Sequence, residues 1–129
     1  MVAVTGIVRY KNKILIGKKR SDSKKFLAGQ WHIPEETIEL NESDEVALKR
    51  CFKEEANLEI IVGKYLDSSI TPSSKTEIRW YECFSSTNKV KPESDLEDLK
   101  FIPKNQVLNY LGEKAKSILP ENIKNYFLK

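Results

Sequence analysis

The chain has little of what marks several large classes of protein. It carries one histidine and two cysteines in 129 residues, and Cys51 and Cys83 fit no zinc-binding spacing. It has neither a Walker phosphate loop nor a dinucleotide-binding fingerprint, and no Gly-x-Ser-x-Gly motif occurs. These absences leave no support for a zinc site, a phosphate-loop nucleotide site or a serine triad.

Long apolar runs are also missing. No stretch approaches the roughly 20 apolar residues that a membrane-spanning helix needs, so we expect no membrane association. The first eight residues lack the basic region and cleavage site of a signal peptide. We therefore expect a cytoplasmic protein in which Cys51 and Cys83 are free thiols rather than a disulfide.

The composition is that of a globular chain. Hydrophobic residues make up 40% and charged residues 32%, which predicts a single domain over residues 1–129 with a core of its own. The net charge of +3 is modest, with lysines crowding the first quarter. Because nucleic-acid binders usually show a stronger basic bias, a solvated lysine-rich face is favoured and nucleic acid is an unlikely partner. A local rim that attracts phosphate is compatible with this charge.

Residue patterns predict strands on both sides of a central helix. Strands are expected at 2–10, 13–17, 31–34, 37–38, 59–67, 77–85 and 99–102, with loops at 21–30, 71–75 and 88–95. The central helix begins near Asn41 or Ser43 and stops at Asn57. A second helix is expected over 105–119, and Pro120 opens a last one that ends near Phe127. This order predicts an α+β fold, an α/β/α sandwich around a mixed β-sheet.

The central helix carries the most informative side chains. Positions 51, 54 and 55 share one wedge of a helix, and Arg50 lies four residues before Glu54. Glu54 and Glu55 supply hard oxygen ligands of the kind that suits Mg²⁺ or Mn²⁺, and such an ion can bridge phosphate oxygens. The simpler interpretation is a solvated face with one i, i+4 ion pair.

The sequence around this helix resembles the Nudix box. The family pattern reads Gly-x5-Glu-x7-Arg-Glu-apolar-x-Glu-Glu-x-Gly-apolar, and six of its nine fixed positions match here: Glu42, Arg50, Phe52, Glu54, Glu55 and Leu58. Glu36, Cys51 and Asn57 stand where the pattern has glycine, glutamate and glycine. The resemblance extends to the opening hairpin, the lead-in at 27–31 and the late strand at 99–102.

The resemblance implies a hydrolase that cleaves a pyrophosphate bond in a nucleoside di- or triphosphate derivative, with Mg²⁺ or Mn²⁺ as cofactor. Carried over by position, Glu54 and Glu55 are the metal ligands, Arg50 orients the acidic cluster, and Glu42 is a supporting carboxylate. All four are the expected catalytic residues. A nucleotide or nucleotide derivative is the implied substrate, and the oligomeric state stays open, with a homodimer as one option.

Cys51 is the most serious departure from the pattern, because it removes a carboxylate and a soft thiol is a poor magnesium ligand. We expect it to be a small buried hydrophobic residue. Either Glu35 or Glu36 is a candidate to replace the missing ligand. A further acid can approach from a strand or loop, and the candidates there are Glu77, Glu82, Glu93, Asp95 and Glu97.

Two functional hypotheses follow. The first is a divergent, slow Nudix hydrolase that uses Glu54 and Glu55. The second is a Nudix fold that has lost catalysis and binds nucleotides or a protein partner. His32, the single histidine, is interpreted as a pocket-wall or structural residue rather than a general base. The sequence does not identify the substrate.

Overall fold

The computed structural model describes residues 1–72 and 74–129. In this part of the chain the strands are β1 Val2–Tyr10, β2 Lys13–Lys19, β3 Trp31–His32, β4 Glu35–Thr37, β5 Ile61–Ile70, β6 Glu77–Phe84 and β7 Leu96–Pro103. The helices are α1 Asp44–Ala56, a 3₁₀ turn Lys104–Gln106, α2 Val107–Tyr110, α3 Glu113–Ser117 and α4 Glu121–Leu128.

The strands form one mixed sheet between two helical layers. The order is β3-β2-β1-β6-β5, with β4 pairing to β1 and β7 to β2. β1 and β6 run parallel, whereas β1–β2, β1–β4 and β5–β6 are antiparallel. The predicted α+β fold, an α/β/α sandwich around a mixed sheet, is confirmed.

Alternation along β1 explains the two layers. Ala3 and Ile7 belong to the core under α2, α3 and α4, while Val4 and Val8 belong to the core under α1. Gly6 lets α1 approach closely, because a Cβ at that position would lie 2.8 Å from the Phe52 ring. Helix α1 therefore packs closely against the middle of the sheet.

Both ends of α1 lie at polar residues that the sequence predicts. Ser43 is the N-cap, and its Oγ accepts a hydrogen bond of 3.2 Å from the Val46 amide. The other candidate for the start, Asn41, lies in the turn before the helix at φ 68°. Asn57 ends the helix in the left-handed conformation, and its N–H bonds the Phe52 carbonyl.

The helix predicted over 105–119 is wrong as one element. Leu111 is extended, and α3 restarts at Gly112, whose N–H donates to the Trp31 carbonyl at 3.2 Å. A Cβ on Gly112 would lie 1.8 Å from Gln30 Oε1. That oxygen accepts from the amides of Lys114 and Ala115, so a distant side chain starts the new helix.

Smaller differences concern strand ends. β5 begins at Ile61 instead of 59 and continues to Ile70, and β7 begins three residues before the predicted position. Within the loop expected at 71–75, Ser73 lies outside the described residues. No helix of the described residues is long and apolar enough to cross a membrane.

Candidate metal and phosphate site

Arg50, in the middle of α1, is the centre of an acidic cluster. Its Nε and Nη2 donate to the two Glu42 carboxylate oxygens at 2.8 and 2.9 Å, and Nη2 also donates to the Thr37 carbonyl at 3.0 Å. Glu36, Glu39 and Glu54 lie 3.7, 3.1 and 3.6 Å from the guanidinium. The hydrogen bonds with Glu42 raise the pKa of Arg50 and lower the pKa of Glu42.

The two consecutive acids of the helix do not share an environment. Glu54 exposes 51% of its side chain and pairs with Arg50. Glu55 is only 4% exposed, and its Oε2 lies 3.5 Å from Cys51 Sγ, the donor. Burial raises the pKa of Glu55 from an ordinary 4.5 to about 7, the Lys19 charge lowers it and the Glu36 charge raises it.

Cys51 is a core residue. It has no exposed surface and packs among Val4, Leu48 and Phe52. Burial, followed by the nearby Glu55 charge, raises the pKa of its thiol well above the usual range, so the thiol stays protonated. The expectation of a small buried hydrophobic residue is confirmed. Cys51 and Cys83 are both free thiols.

Two acids and two lysines line one cavity, and the charges of Lys19, Glu36 and Lys25 act on Glu55. Glu35 and Glu36 lie on β4, and together with Lys19 and Lys25 they form the charged lining of a cavity of about 140 Å³. Burial raises the pKa of Glu35, whereas the two lysine charges lower it. This arrangement puts the acids that can accompany Glu55 next to the cations that attract phosphate.

Lys19 was not expected as a site residue. It is 3% exposed at the end of β2, and its Nζ lies 3.1 Å from Asp95 Oδ2. Lys25 Nζ lies 3.7 Å from the same oxygen. The sequence shows the lysines of this region but not the shift in strand register between Lys18 and Lys19, which interrupts the regular alternation of side chains along β2.

The other candidate acids have separate partners. Glu82 lies on the α4 side, where Tyr126 donates to it at 2.7 Å. Glu77 pairs with Arg79, and Glu97 accepts from the Ser21 amide. Glu93 is connected to Glu55 only through the main chain, since its amide donates to the Glu55 carbonyl at 2.9 Å. Asp95 approaches the site through Lys19.

His32 does not act as a base in this arrangement. It is 1% exposed, and its Nδ1 lies 2.8 Å from the Gly17 carbonyl, so Nδ1 carries the hydrogen. Burial, reinforced by the Lys19 charge, lowers the pKa of His32 to about 3. Its Nε2 has no hydrogen-bond partner among residues 1–72 and 74–129. The ring is a neutral, buried structural residue.

The donor set fits a weakly held divalent cation. In the described part of the chain, no three acidic, histidine or cysteine side chains converge closely enough to enclose a metal ion. Mg²⁺ does not need such a cage, because it is commonly held by one or two carboxylates, with water and substrate phosphates completing its shell. Glu55 is a buried carboxylate whose side-chain partner is a thiol, and a cation would offset its desolvation.

A family model described as "NUDIX domain" matches residues 1–121 of the chain. A search of curated proteins finds no significant match. The sequence relationship therefore rests on the family model, which spans almost the whole chain.

Solved structures share the fold at low identity. A MutT protein from Methanosarcina mazei superposes with a TM-score of 0.75 at 17% identity, covering 99% of this chain and 90% of the other. A NUDIX hydrolase from Nitrosomonas europaea gives 0.71 at 20%, covering 79% of this chain and 56% of that one. The NUDIX domain of Shewanella oneidensis NrtR, complexed with ADP ribose, gives 0.65 at 18%, covering 85% and 77%.

Proposed function

The chain belongs to the NUDIX domain family, and from this premise we propose that it is a divergent hydrolase of pyrophosphate bonds in nucleotide derivatives. The observation that carries the proposal is that Glu36, Lys19 and Lys25 line one cavity and that their charges act on the buried Glu55 carboxylate. Acids that can hold a cation and lysines that can hold phosphate therefore belong to one charged region of the molecule. The ADP-ribose complex of the NrtR domain supports nucleotide derivatives as the substrate class.

Mg²⁺ or Mn²⁺ is the proposed cofactor, with Glu55 and Glu54 as its ligands. When bound, such an ion neutralises phosphate charge and activates water. A metal ion would compete for the Glu54 carboxylate with Arg50, which lies 3.6 Å from it. Glu36 lies close enough for its charge to raise the pKa of Glu55, so it is the proposed substitute for the family glutamate.

Arg50 and Glu42 have a positioning role in this proposal. The two-point contact between them joins the middle of α1 to the segment before it, and the Thr37 contact extends this link to the end of β4. Because Glu36 also lies on β4, the contacts of Arg50 fix the position of Glu36 relative to helix α1. Loss of this contact changes the distance between Glu36 and Glu55.

A second candidate function is a nucleotide-binding module without catalysis. The observation that favours it is the complete burial of Cys51, which leaves a protonated thiol where the family has a carboxylate. With Glu54 paired to Arg50, Glu55 is the one member of this consecutive pair of acids left for a cation. In both alternatives we propose a cytoplasmic setting, which the two unpaired cysteines favour.

The deciding experiment is a hydrolysis assay on nucleoside triphosphates, ADP-ribose and dinucleoside polyphosphates with Mg²⁺ or Mn²⁺. We expect slow turnover by the wild type on at least one substrate. Glu55→Gln should reduce it by at least about 100-fold, since outer partners of metal ligands alone account for 10- to 100-fold. Glu54→Gln should also reduce turnover, and Glu113→Gln is the matched control because that carboxylate is 91% exposed outside the site.

Cys51→Glu separates the two candidate functions. If the wild type is inert on every substrate and Cys51→Glu gains activity, the site is a decayed one and the binding-module function is correct. Turnover in the wild type that Glu55→Gln abolishes removes the binding-module function. Mn²⁺ binding followed by electron paramagnetic resonance gives a readout that does not depend on turnover.

A further inference from the structure

The cavity lined by Glu35 and Glu36 also has polar groups that the proposed chemistry does not use. Besides its lysines and glutamates, hydroxyl side chains line it: Thr37 on β4, and Thr71, Ser74 and Thr76 between β5 and β6. Thr71 and Thr76 are each 7% exposed, so their hydroxyls are shielded from bulk water. Polar groups this buried normally have partners, and the partners here are one another.

The hydroxyls of Thr71, Ser74 and Thr76 form a chain of hydrogen bonds with one hydrogen left over. Ser74 Oγ lies 2.7 Å from Thr71 Oγ1 and 2.8 Å from Thr76 Oγ1, and the Thr76 amide donates to Thr71 Oγ1 at 3.0 Å. Each oxygen–oxygen contact uses one hydroxyl hydrogen, so two contacts use two of the three. Among residues 1–72 and 74–129, no acceptor takes the third.

This leftover hydrogen can be offered at either end of the chain. If the hydroxyls donate in sequence toward Thr71, the spare donor is on Thr71 and lone pairs are open on Thr76. If they donate toward Thr76, the spare donor is on Thr76 instead. The cavity therefore presents one donor and nearby acceptors. Which hydroxyl is the donor changes with the direction of the hydrogen bonds, so the chain can adapt to the bound group.

The rest of the lining suits the faces of a planar ring. Ala3, Phe26 and Ile78 are the apolar residues of the cavity, and Phe26 offers an aromatic surface. At about 140 Å³ the cavity is well below the roughly 300 Å³ at which pockets enclose a whole drug-sized ligand, so it takes one part of a larger molecule. Lys19 and Lys25 belong to the same lining and are the groups that would hold the anionic part of that molecule.

We propose that this cavity binds the heterocyclic base of the nucleotide substrate, and that Thr71, Ser74 and Thr76 determine which base is accepted. The inference rests on the proposed nucleotide hydrolysis, since it assigns the base end of the same substrate. It names a specificity device particular to this chain, a reversible hydroxyl chain in the loop between β5 and β6.

The test uses ligands without a pyrophosphate bond, so that binding is measured apart from turnover. The four ribonucleoside 5′-monophosphates and ribose 5-phosphate are titrated into the full chain by calorimetry. We expect at least one nucleotide to bind about 10-fold more tightly than ribose 5-phosphate. Thr76→Val replaces the hydroxyl by a methyl group and should weaken that nucleotide by about 3- to 10-fold without changing ribose 5-phosphate binding.

Matched variants make the result specific. Thr76→Ser restores a hydroxyl and should recover most of the affinity, and Thr87→Val is the same change outside the cavity. If Thr76→Val does not fold, Ser74→Ala breaks the chain at its centre on a more exposed side chain and should relax base preference. Equal affinity for ribose 5-phosphate and every nucleotide, or no effect of either variant, overturns the inference.

Failure of this inference is distinguishable from failure of the hydrolase function. Pyrophosphate hydrolysis that is insensitive to the base and to Thr76→Val leaves the enzyme intact and removes the base subsite. Base-dependent binding that Thr76→Val abolishes, in a protein without turnover on any substrate, keeps the subsite and removes the hydrolase.

Discussion

Glu54 and Glu55 are neighbours in sequence, but the two sides of helix α1 give them different surroundings. On the Arg50 side, Glu36, Glu39, Glu42 and Glu54 surround one guanidinium near solvent. On the Cys51 side, Glu55 is buried against a protonated thiol, and the charge that most stabilises its ionised form is that of Lys19. Successive helical residues are about 100° apart, so adjacent carboxylates fall on different rows.

The comparison shows which acid is poised for a new partner. Glu42 and Glu54 already have a cation, and a metal ion must compete with Arg50 for them. Glu55 has paid a desolvation cost that its thiol partner only partly offsets, so a cation would gain most there. The departure at Cys51 thus divides the acids into two groups. Glu42 and Glu54, which pair with Arg50, are the satisfied half, and Glu55, whose hydrogen-bond partner is the Cys51 thiol, is the unsatisfied half.

The largest expected effect is on the pH dependence of stability in metal-free protein. The pKa of Glu55 is raised in the folded state to about 7, so between about pH 4.5 and 7 the folded state binds more protons than the unfolded state. The free energy of unfolding should therefore fall as pH rises through this window, by roughly 3 kcal/mol from this group. Urea unfolding in EDTA, compared between wild type and Glu55→Gln, isolates the effect.

The matched variant for that measurement is Glu54→Gln, the same change on the half-exposed neighbour. The free energy of unfolding of Glu54→Gln should still fall as pH rises through this window, whereas that of Glu55→Gln should not. If the free energy of unfolding varies with pH in the same way in the wild type and in Glu55→Gln, the proposed difference between the two acids is wrong. Added Mn²⁺ should stabilise the wild type more at pH 8 than at pH 6, because binding requires the ionised carboxylate.

The next effect concerns the Arg50 side. Arg50→Met should reduce the free energy of unfolding by about 1–2 kcal/mol, because it removes two hydrogen bonds to Glu42 and one to the Thr37 carbonyl at a site that solvent partly screens. Arg20→Met is the control, since the Arg20–Asp22 pair is exposed and its loss should change stability much less than Arg50→Met does. Chemical denaturation of both variants makes the comparison, and equal losses would mean that the cluster adds nothing beyond a surface pair.

Much of the fold could be predicted from local signals, and particular residues show why. Ser43 and Asn57 bound α1 through their own backbone and side-chain chemistry, which a sequence displays directly. The break at Gly112 could not be predicted this way, because it depends on Gln30, 84 residues before Lys114. Local helix preference over 105–119 was overridden by that distant contact.

The candidate site divides in the same way. The i, i+4 spacing predicts that Arg50 reaches Glu54, and the two are in contact. That Lys19 is buried beside Asp95, and that Thr71, Ser74 and Thr76 line one cavity with Glu35, depends on how distant strands pair. No spacing rule within one segment carries that information.

The smallest effect tests the contact that defines the unsatisfied half. Cys51→Ala and Cys83→Ala both remove a fully buried thiol and should each cost about 1 kcal/mol of stability. Only Cys51 donates to Glu55, and a donor to the charged form lowers the pKa of the acceptor. Cys51→Ala should therefore shift the midpoint of the Glu55-dependent fall in stability to higher pH by roughly half a unit. Cys83→Ala should leave this midpoint unchanged. If both variants give the same midpoint, the thiol does not stabilise ionised Glu55, and the contrast between the two sides of α1 reduces to burial alone.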